Sequence, residues 1–337
     1  MIKRVNKSYI IAEIGVNHGN DLSVAMKLID EAKIAGANAA KFQTFSANNL
    51  STNRTPKAPY QVLRDASQSH REMLKHLELP RANHQLLREY CHSVDIEFMS
   101  TAYSLEDAEF LIGLGVDKVK VASADIVDTR LLGYLSKQKI CTILSTGMAS
   151  LSEVKRSIEI FRSSESSLWL LHCISEYPTP PSNANLLRIE ILRQLHSGII
   201  GYSDHTVGSE AAQIAFGLGA RVFEKHLTFD KQAEGPDHFA SADIDEFRDY
   251  VSKIRGCELL LGDSSFQRSQ DEEAMALTSR KSLHYARNVE VGERLMEIDM
   301  RLARPGDGFF WDQRYLFLNK ELKESVSKDQ KIDLGHF

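Results

Sequence analysis

Residues 199–226 have the sequence IIGYSDHTVGSEAAQIAFGLGARVFEKH, and this stretch decides the fold class. It begins with a short apolar run, Ile199–Ser203, and it ends with a second one, Val222–His226. A helical pattern lies between them and stops near Gly219, a residue that can end a helix and turn the chain back toward a strand. This order predicts two parallel strands, because parallel neighbours require a crossover connection.

The same alternation extends over the first two-thirds of the chain, which contains eight apolar strand candidates. Eight parallel strands can close a (β/α)8 TIM barrel of about 250 residues, and an open doubly wound sheet is the alternative. Each candidate ends in polar residues, which a barrel gathers into one mouth and an open sheet spreads along an edge. We therefore predict a barrel over residues 1–262. The candidates are Tyr9–Glu13, Asn38–Gln43, Glu97–Thr101, Lys118–Ala122, Cys141–Ser145, Leu168–His172, Ile199–Ser203 and Val222–His226.

Other segments depart from this alternation. A long segment, roughly Ser46–Leu79, follows the second strand candidate. Long insertions are usually functional or disordered, so this segment either covers the substrate or has no role in function. Asp243–Leu261 has the pattern of a last helix, and the polar, acidic stretch 263–278 predicts a linker. Residues 279–337 contain short strand-like pieces and predict a small β-rich domain.

Composition excludes several classes of protein. The chain has 337 residues, of which 42% are hydrophobic, and its 41 Lys and Arg against 46 Asp and Glu give a net charge of −5. Such mild acidity argues against non-specific binding to nucleic acid. The four cysteines form no CxxC pair, which indicates a reduced, cytoplasmic protein. No apolar run approaches the ~20 residues that a membrane-spanning helix needs.

Two histidines stand at matching positions, His205 just after strand seven and His226 at the end of strand eight. Adjacent strands lie about 4.8 Å apart, so two inward imidazoles at neighbouring ends can bind one ion. Two protein ligands would leave coordination positions open, as a catalytic metal requires. Mixed nitrogen and oxygen ligands would suit Mn²⁺, Zn²⁺ or, with more difficulty, Mg²⁺. The alternative is that the histidines only form hydrogen bonds in the mouth.

Two lysines, Lys41 and Lys120, end strands two and four. A lysine inside a barrel is costly unless it faces an anion, so these residues predict a clamp for phosphate or carboxylate, or a Schiff-base nucleophile. Snorkelling along the rim is the third possibility. Nearby hydroxyl groups complete a cradle for a small phosphorylated acid, and no GxGxxG or GxxxxGK[ST] loop occurs. The hydroxyl residues are Thr101, Ser123, Thr146 and Ser203.

Carboxylates also stand near the predicted mouth. Glu13 ends strand one, Asp125 follows strand four, and Asp237 lies in the turn-like Gly-Pro-Asp-His tetrad after strand eight. Such groups can act as a base, accept a hydrogen bond from a sugar hydroxyl or bind a metal, although Asp237 is equally compatible with a plain turn. Tyr177 opens a proline-rich loop after strand six, which would hold its side chain at the rim, although plain loop geometry explains the prolines equally well.

The ordered set of motifs resembles the sialic acid synthase family. Members condense phosphoenolpyruvate (PEP) with an N-acetylated hexose to give a nine-carbon acidic sugar and phosphate. They carry a (β/α)8 barrel followed by a small SAF (antifreeze-like) domain, form domain-swapped homodimers and need a divalent metal, often Mn²⁺. The motifs, which extend over nearly the whole chain, are IIAEIGVNHGND, GANAAKFQTF, KVASAD, LSTGM, LHCISEYPTP, GYSDHTVG, FEKHLT, GPDH and RPGDG.

This resemblance implies roles for single residues. His205 and His226 would hold the metal, and Glu13 and Asp125 are the candidate catalytic carboxylates. Arg304 would reach into the partner subunit's mouth and contact the acceptor sugar, and residues 279–337 would form the SAF domain. The remaining substrate-binding residues are Lys41, Gln43, Thr101, Lys120, Ser123, Ser175, Tyr177, Ser203 and Asp237.

At two positions the sequence differs from some members of the sialic acid synthase family, and both differences bear on the identity of the acceptor sugar. Asp125 stands where some members have Glu, and Ser175 stands where some sialic acid synthases have Asn. The acceptor is then either N-acetylmannosamine or the diacetylated dideoxy hexose that leads to legionaminic acid, with a pseudaminic-type acceptor as the alternative. Three other functions remain to be compared: a Schiff-base pyruvate aldolase using Lys120 or Lys41, a metal-dependent barrel hydrolase, and a non-catalytic sugar-binding protein.

Overall fold

The computed structural model describes residues 7–58, 61–62, 67–162, 164, 166–262 and 264–337. The chain divides into two compact units, and the division falls after Gly262. Within the described residues, no helix is long and apolar enough to cross a membrane. Residues 59–60 and 63–66 of the predicted insertion lie outside the described residues.

Eight parallel strands of the first unit close into a barrel in which each strand pairs with the next and β8 pairs with β1. The barrel prediction is confirmed, and the open sheet is excluded. Every predicted strand is present, with bounds that differ by one or two residues at most. The strands are β1 (Tyr9–Gly15), β2 (Ala39–Thr44), β3 (Glu97–Ala102), β4 (Lys118–Val121), β5 (Cys141–Ser145), β6 (Ser167–Cys173), β7 (Ile200–Asp204) and β8 (Val222–His226).

Helices connect these strands, as a parallel barrel requires. Their described bounds are α1 (Leu22–Ala35), α2 (Ala47–Leu50), α3 (His70–Leu77), α4 (Arg81–Ser93), α5 (Leu105–Leu114), α6 (Thr129–Leu135), α7 (Leu151–Phe161), α8 (Arg188–Leu195), α9 (Glu210–Gly217) and α10 (Ile244–Leu261). Several begin at residues whose side chains cap the helix. Ser150 and Asp243 each form a capping box with the glutamate three residues later, at the starts of α7 and α10.

The barrel is filled below its mouth. An apolar layer occupies the interior, and each of its residues stands two positions before a more polar residue or a cysteine on the same strand face. Ile11 precedes Glu13 in this way, and Ala39 precedes Lys41. This layer closes the barrel from below, so the polar side chains above it face a cavity at the carboxyl ends of the strands. Its buried residues are Ile11, Ala39, Met99, Ile143, Leu171 and Val222.

The second unit has its own small core. Strands β9 (Ser282–Tyr285) and β10 (Met300–Ala303) pair antiparallel, and isolated bridges such as Val289–Val326 extend the pairing. Helix α11 (Gln270–Ser279) overlaps the stretch 263–278 predicted as a linker and ends one residue beyond it, and a capping box at Ser269 begins the helix. The buried residues of this core are Leu283, Tyr285, Val289, Leu295, Met300, Phe317, Leu322, Val326 and Ile332.

Candidate active site

A cavity of about 460 Å³ opens at the carboxyl ends of the barrel strands, where TIM-barrel enzymes have their active sites. Most of the residues predicted to act on substrate or metal line it. Asp125 does not line it, although its neighbours Ser123 and Ala124 do, and Arg304 belongs to the second unit. The predicted residues that line the cavity are Glu13, Lys41, Gln43, Thr101, Lys120, Ser123, Ser175, Tyr177, Ser203, His205, His226 and Asp237.

Two lysines and two glutamates form a buried charged cluster on the floor of this cavity. The Lys41 Nζ lies 2.6 Å from Glu13 Oε2 and 3.5 Å from Glu224 Oε2, and it donates to Thr101 Oγ1 at 3.0 Å. The Lys120 Nζ lies 4.0 Å from Glu224 Oε1, which accepts a hydrogen bond from the hydroxyl of Ser203 at 2.8 Å. Because the two lysines and the two glutamates carry opposite charges and contact one another, all four side chains can be buried without a bound ligand.

The cluster gives its members unequal proton affinities. Burial raises the pKa of Glu13 above its ordinary value, although Lys41 opposes the shift. Burial also acts to raise the pKa of Glu224, but Lys120 and Lys41 outweigh it and hold that pKa below its usual range. Burial lowers the pKa of Lys120. Glu13 is therefore the carboxylate of this cluster better suited to take and return a proton.

Glu13 is also held in place by neutral neighbours. The Gln43 side-chain amide donates to Glu13 Oε1 at 3.0 Å, and the Tyr103 hydroxyl donates to Gln43 Oε1 at 3.1 Å. This chain of hydrogen bonds starts at the residue after β3 and ends at β1, so it orients one glutamate oxygen while Lys41 contacts the other. The carboxylate is thus fixed in the cavity before any substrate binds.

The two predicted histidines meet on the other side of the cavity, with ring centroids 5.6 Å apart. The His205 Nδ1 lies 2.7 Å from the carbonyl oxygen of Ile174, an arrangement that places the proton on Nδ1 and leaves the Nε2 lone pair available. Burial lowers the pKa of His226 well below its usual value, so this imidazole is neutral. The Tyr177 ring lies 4.0 Å from the His205 ring, centroid to centroid.

These histidines fit a divalent metal in part. Among the described residues, no group of three or more His, Cys, Asp or Glu side chains could hold an ion by itself. However, His226 Nδ1 is buried and forms no hydrogen bond in the described part of the chain, and it lies 3.8 Å from Asp237 Oδ2. A buried neutral imidazole with an unsatisfied nitrogen is a ready metal ligand. The donors therefore suit an ion that substrate or water completes.

One wall of the cavity is apolar, and much of it comes from the insertion after β2. Helices α2 and α3 of that insertion pack with the ends of β1 and β2. Tyr103 contacts this group through its ring, 5.8 Å from the ring of Phe45. The insertion therefore covers part of the mouth, which supports the first of its two predicted roles. The apolar lining residues are Val16, Phe45, Leu50, Met73, Leu74 and Leu77.

Ser123 and Ser175 lie next to each other around the turn after β5. The Gly147 amide donates to Ser123 Oγ at 2.9 Å. A Cβ on Gly147 would lie 2.4 Å from Ser175 Oγ and 2.8 Å from Ser123 Oγ, so only glycine allows both serines to approach this turn. Asp125 follows in a short 3₁₀ turn, where burial raises its pKa to about 7.

The comparison with known proteins is decisive for the family. Residues 28–266 match the family model described as NeuB. The chain belongs to the NeuB family. An N,N'-diacetyllegionaminic acid synthase of Legionella pneumophila is 40% identical over 89% of this chain and 86% of its own length. A protein of the same name from Campylobacter jejuni is 35% identical over 97% of this chain and 99% of its own length.

A solved structure agrees with this NeuB assignment. The N-acetylneuraminic acid synthetase of Leptospira borgpetersenii, crystallised with citrate, is 33% identical, with a TM-score of 0.71 over 80% of this chain and 90% of its own. The resemblance to sialic acid synthases is therefore confirmed.

Sequence reasoning missed part of the NeuB site. Glu224 was not among the predicted site residues, although it stands two positions before His226 and so faces the same side of β8. Ser145, at the end of β5, also lines the cavity, and the same alternation could have found it. The apolar wall had no such signal, because its position depends on how the insertion folds back over the mouth.

Proposed function

We propose that this NeuB protein condenses PEP with an N-acetylated hexose and releases phosphate. One observation carries the proposal: two lysines, two glutamates and two histidines line a single barrel mouth. Lysines that face a small cavity suit a substrate with both a phosphate and a carboxylate. The relatives named as legionaminic and neuraminic acid synthases support the same chemistry.

In the reaction, the methylene carbon of PEP forms a bond to the aldehyde carbon of the open-chain acceptor, whose oxygen gains a proton. The electrons of the PEP double bond form this new bond, so water then adds to the second PEP carbon and loses a proton. The C–O bond to phosphate breaks as the added hydroxyl becomes the carbonyl of the product and gives its proton to phosphate. Lys41 and Lys120 offset the charge of PEP, with hydroxyl groups of Thr101, Ser123 and Ser203 completing the anion cradle. Glu13 holds and moves a proton. Asp125, the second candidate, does not line the cavity and would act on substrate only through a neighbouring group.

We further propose that the protein works with a divalent metal, Mn²⁺ in the first place, bound by His205 and His226 beside Asp237. Such an ion, when bound, acts as a Lewis acid on the acceptor carbonyl. The Tyr177 ring packs against the His205 ring at a tilt of 32° and restricts the movement of that imidazole. Gln43 orients Glu13, and Gln43, Ser175, Tyr177 and Asp237 line the acceptor side of the mouth.

The apolar wall favours the diacetylated dideoxy hexose over N-acetylmannosamine as the acceptor. The dideoxy sugar has more methyl groups and fewer hydroxyl groups, so more of its surface can pack against the apolar residues of this wall, beside which Gln61 and His70 supply the polar groups. The relatives at 40% and 35% identity are both named N,N'-diacetyllegionaminic acid synthase, which supports this choice. A pseudaminic-type acceptor remains the alternative.

For the rest of the chain, we propose a linker over 263–278 and a SAF domain over 279–337. We also propose a domain-swapped homodimer in which Arg304 completes the partner's site. Arg304 is exposed and directly follows β10, which suits contact with a second molecule. Cysteines free of disulfides in the described residues support a cytoplasmic setting.

The test is an acceptor panel assayed for phosphate release and product mass with PEP and Mn²⁺. We expect turnover with the diacetylated dideoxy hexose, weaker turnover with N-acetylmannosamine, and loss of activity with EDTA that Mn²⁺ restores. Borohydride reduction in the presence of pyruvate or PEP should trap no adduct. A stable adduct on Lys120 or Lys41 would instead establish the Schiff-base aldolase.

A further inference from the structure

Behind the two histidines, a second buried ion pair lies on the outer face of the barrel. The Lys225 Nζ lies 3.2 Å from Asp204 Oδ2, and the two side chains are 4% and 0% exposed. Asp204 immediately precedes His205, and Lys225 immediately precedes His226. Because side chains alternate along a strand, this pair faces the helices, while Ser203 and Glu224 face the cavity.

Lys225 also holds the chain on the far side of His205. Its ammonium donates to the carbonyl oxygens of Thr206 and Gly208, the second at 3.3 Å. Asp204 Oδ1 accepts from the Thr206 amide at 2.8 Å and from the Thr206 hydroxyl at 2.7 Å. His205 is therefore flanked by two residues, Asp204 and Thr206, that both contact Lys225.

Side-chain contacts join β7 and β8 on both faces of the barrel wall just before the two histidines. Asp204 and Lys225 are direct partners in the β7–β8 register, as are Ser203 and Glu224. The inner pair is joined by the hydrogen bond from Ser203 Oγ to Glu224 Oε1 at 2.8 Å. On the outside, the Tyr250 ring of α10 lies 5.2 Å from the Lys225 ammonium and packs against it.

A buried ion pair adds little net stability, because the free energy lost on desolvating the two charges offsets much of their attraction. Apolar side chains of similar volume often give a folded state that is equally stable. What an ion pair adds is a fixed distance between its groups. We propose that Asp204 and Lys225 are positioning residues that set the separation of His205 and His226 and so determine metal affinity. This inference rests on the proposed function, since it takes the two histidines as the metal ligands.

The test compares Mn²⁺ affinity, measured from the electron paramagnetic resonance signal of the free ion, in the wild type and in two double variants. Asp204→Asn with Lys225→Met removes both charges and leaves an amide oxygen for Thr206. Glu97→Gln with Lys118→Met is the matched control, since it removes a half-buried 2.8 Å pair near the start of β3 and β4. We expect the first variant to raise the Kd at least about tenfold and the control to leave it unchanged.

A second readout separates positioning from loss of folding. Saturating Mn²⁺ should restore most of the kcat of Asp204→Asn/Lys225→Met, because the reacting groups remain. Thr206→Val, which removes only the hydroxyl bound to Asp204, should raise the Kd several-fold, and it decides the matter if the double variant does not fold. If the folded variants bind Mn²⁺ with an unchanged Kd, the positioning role of Asp204 and Lys225 is overturned, while the proposed metal site stands. A wild-type protein that binds no divalent ion overturns the proposed metal as well.

Discussion

Glu13 is the residue on which the proposed chemistry most directly depends. Its buried carboxylate contacts Lys41 at 2.6 Å and Gln43 at 3.0 Å, so a glutamine in its place keeps the shape but loses the charge and the proton. We expect Glu13→Gln to lower kcat by roughly 10²–10⁴-fold, the usual contribution of a general acid or base. Steady-state phosphate release measures this.

The control for this change is Glu97→Gln, which alters a glutamate that pairs with Lys118 away from the cavity. It should leave kcat close to that of the wild type. Full turnover by Glu13→Gln would remove this carboxylate from the mechanism, and the same assay on Asp125→Asn would then test the second candidate.

Asp125 should make the stability of the protein depend on pH. Burial raises its pKa from 3.8 to about 7, so the folded state keeps a proton that the unfolded chain releases. Its contribution to the free energy of unfolding is therefore complete below pH 3.8 and is lost as the pH rises through about 7. Asn carries no such proton, so Asp125→Asn should gain about 2 kcal/mol relative to wild type between pH 4 and pH 8, after allowance for screening.

Urea unfolding at several pH values measures this difference. Asp245→Asn, at a side chain that is 93% exposed, is the control for replacing an aspartate by an asparagine. A flat difference for Asp125→Asn would show that the carboxyl is ionised in the folded protein.

At the scale of elements, the apolar wall formed with α2 and α3 should select the acceptor. Leu77 lines the cavity at the end of α3, and its replacement by glutamine places an amide where the acceptor's methyl groups would lie. We expect Leu77→Gln to raise the KM for the diacetylated acceptor about tenfold, since one or a few buried methylenes are worth that much. The KM for PEP should stay unchanged.

Leu86→Gln offers a matched control, because Leu86 is 45% exposed on α4 and does not line the cavity. Kinetics with both acceptors and with PEP give the comparison. An equal rise in the KM for PEP would mean that the wall supports the whole site rather than the acceptor alone.

The strands and most of the site residues could be predicted from the sequence, whereas the position of the insertion could not. The strands could be predicted because short apolar runs alternate with helical patterns, and the polar ends of those runs favoured a barrel. These ends also placed His205, His226, Lys41 and Lys120 in the mouth. The path of the insertion could not be predicted, because the apolar spacing of α3 shows that one face of this helix is buried but does not show that it packs over the mouth. The alternation of side chains along β8 could have placed Glu224 in the mouth. Its contacts with Lys41 and Lys120, which lie on other strands, form only when the barrel closes, so the sequence alone does not show them.

At the scale of the whole molecule, the proposed dimer makes each active site depend on two chains. In a domain-swapped arrangement, the barrel of one protomer would use Arg304 of the other. We expect Arg304→Ala to raise the KM for the acceptor and to leave the KM for PEP nearly unchanged. Light scattering should give the mass of a dimer for both proteins, and a fully active monomer would contradict the swap.

Mixed dimers test the swap more sharply than either variant alone. Glu13→Gln and Arg304→Ala chains each form deficient homodimers, but a heterodimer would contain one intact site, with Glu13 from one chain and Arg304 from the other. With random pairing of co-expressed chains, half of the dimers are mixed and each has one working site in two, so about a quarter of wild-type activity should return. If Arg304 acts within its own chain instead, no site combines both residues, and the mixture should show no more activity than its separate parts.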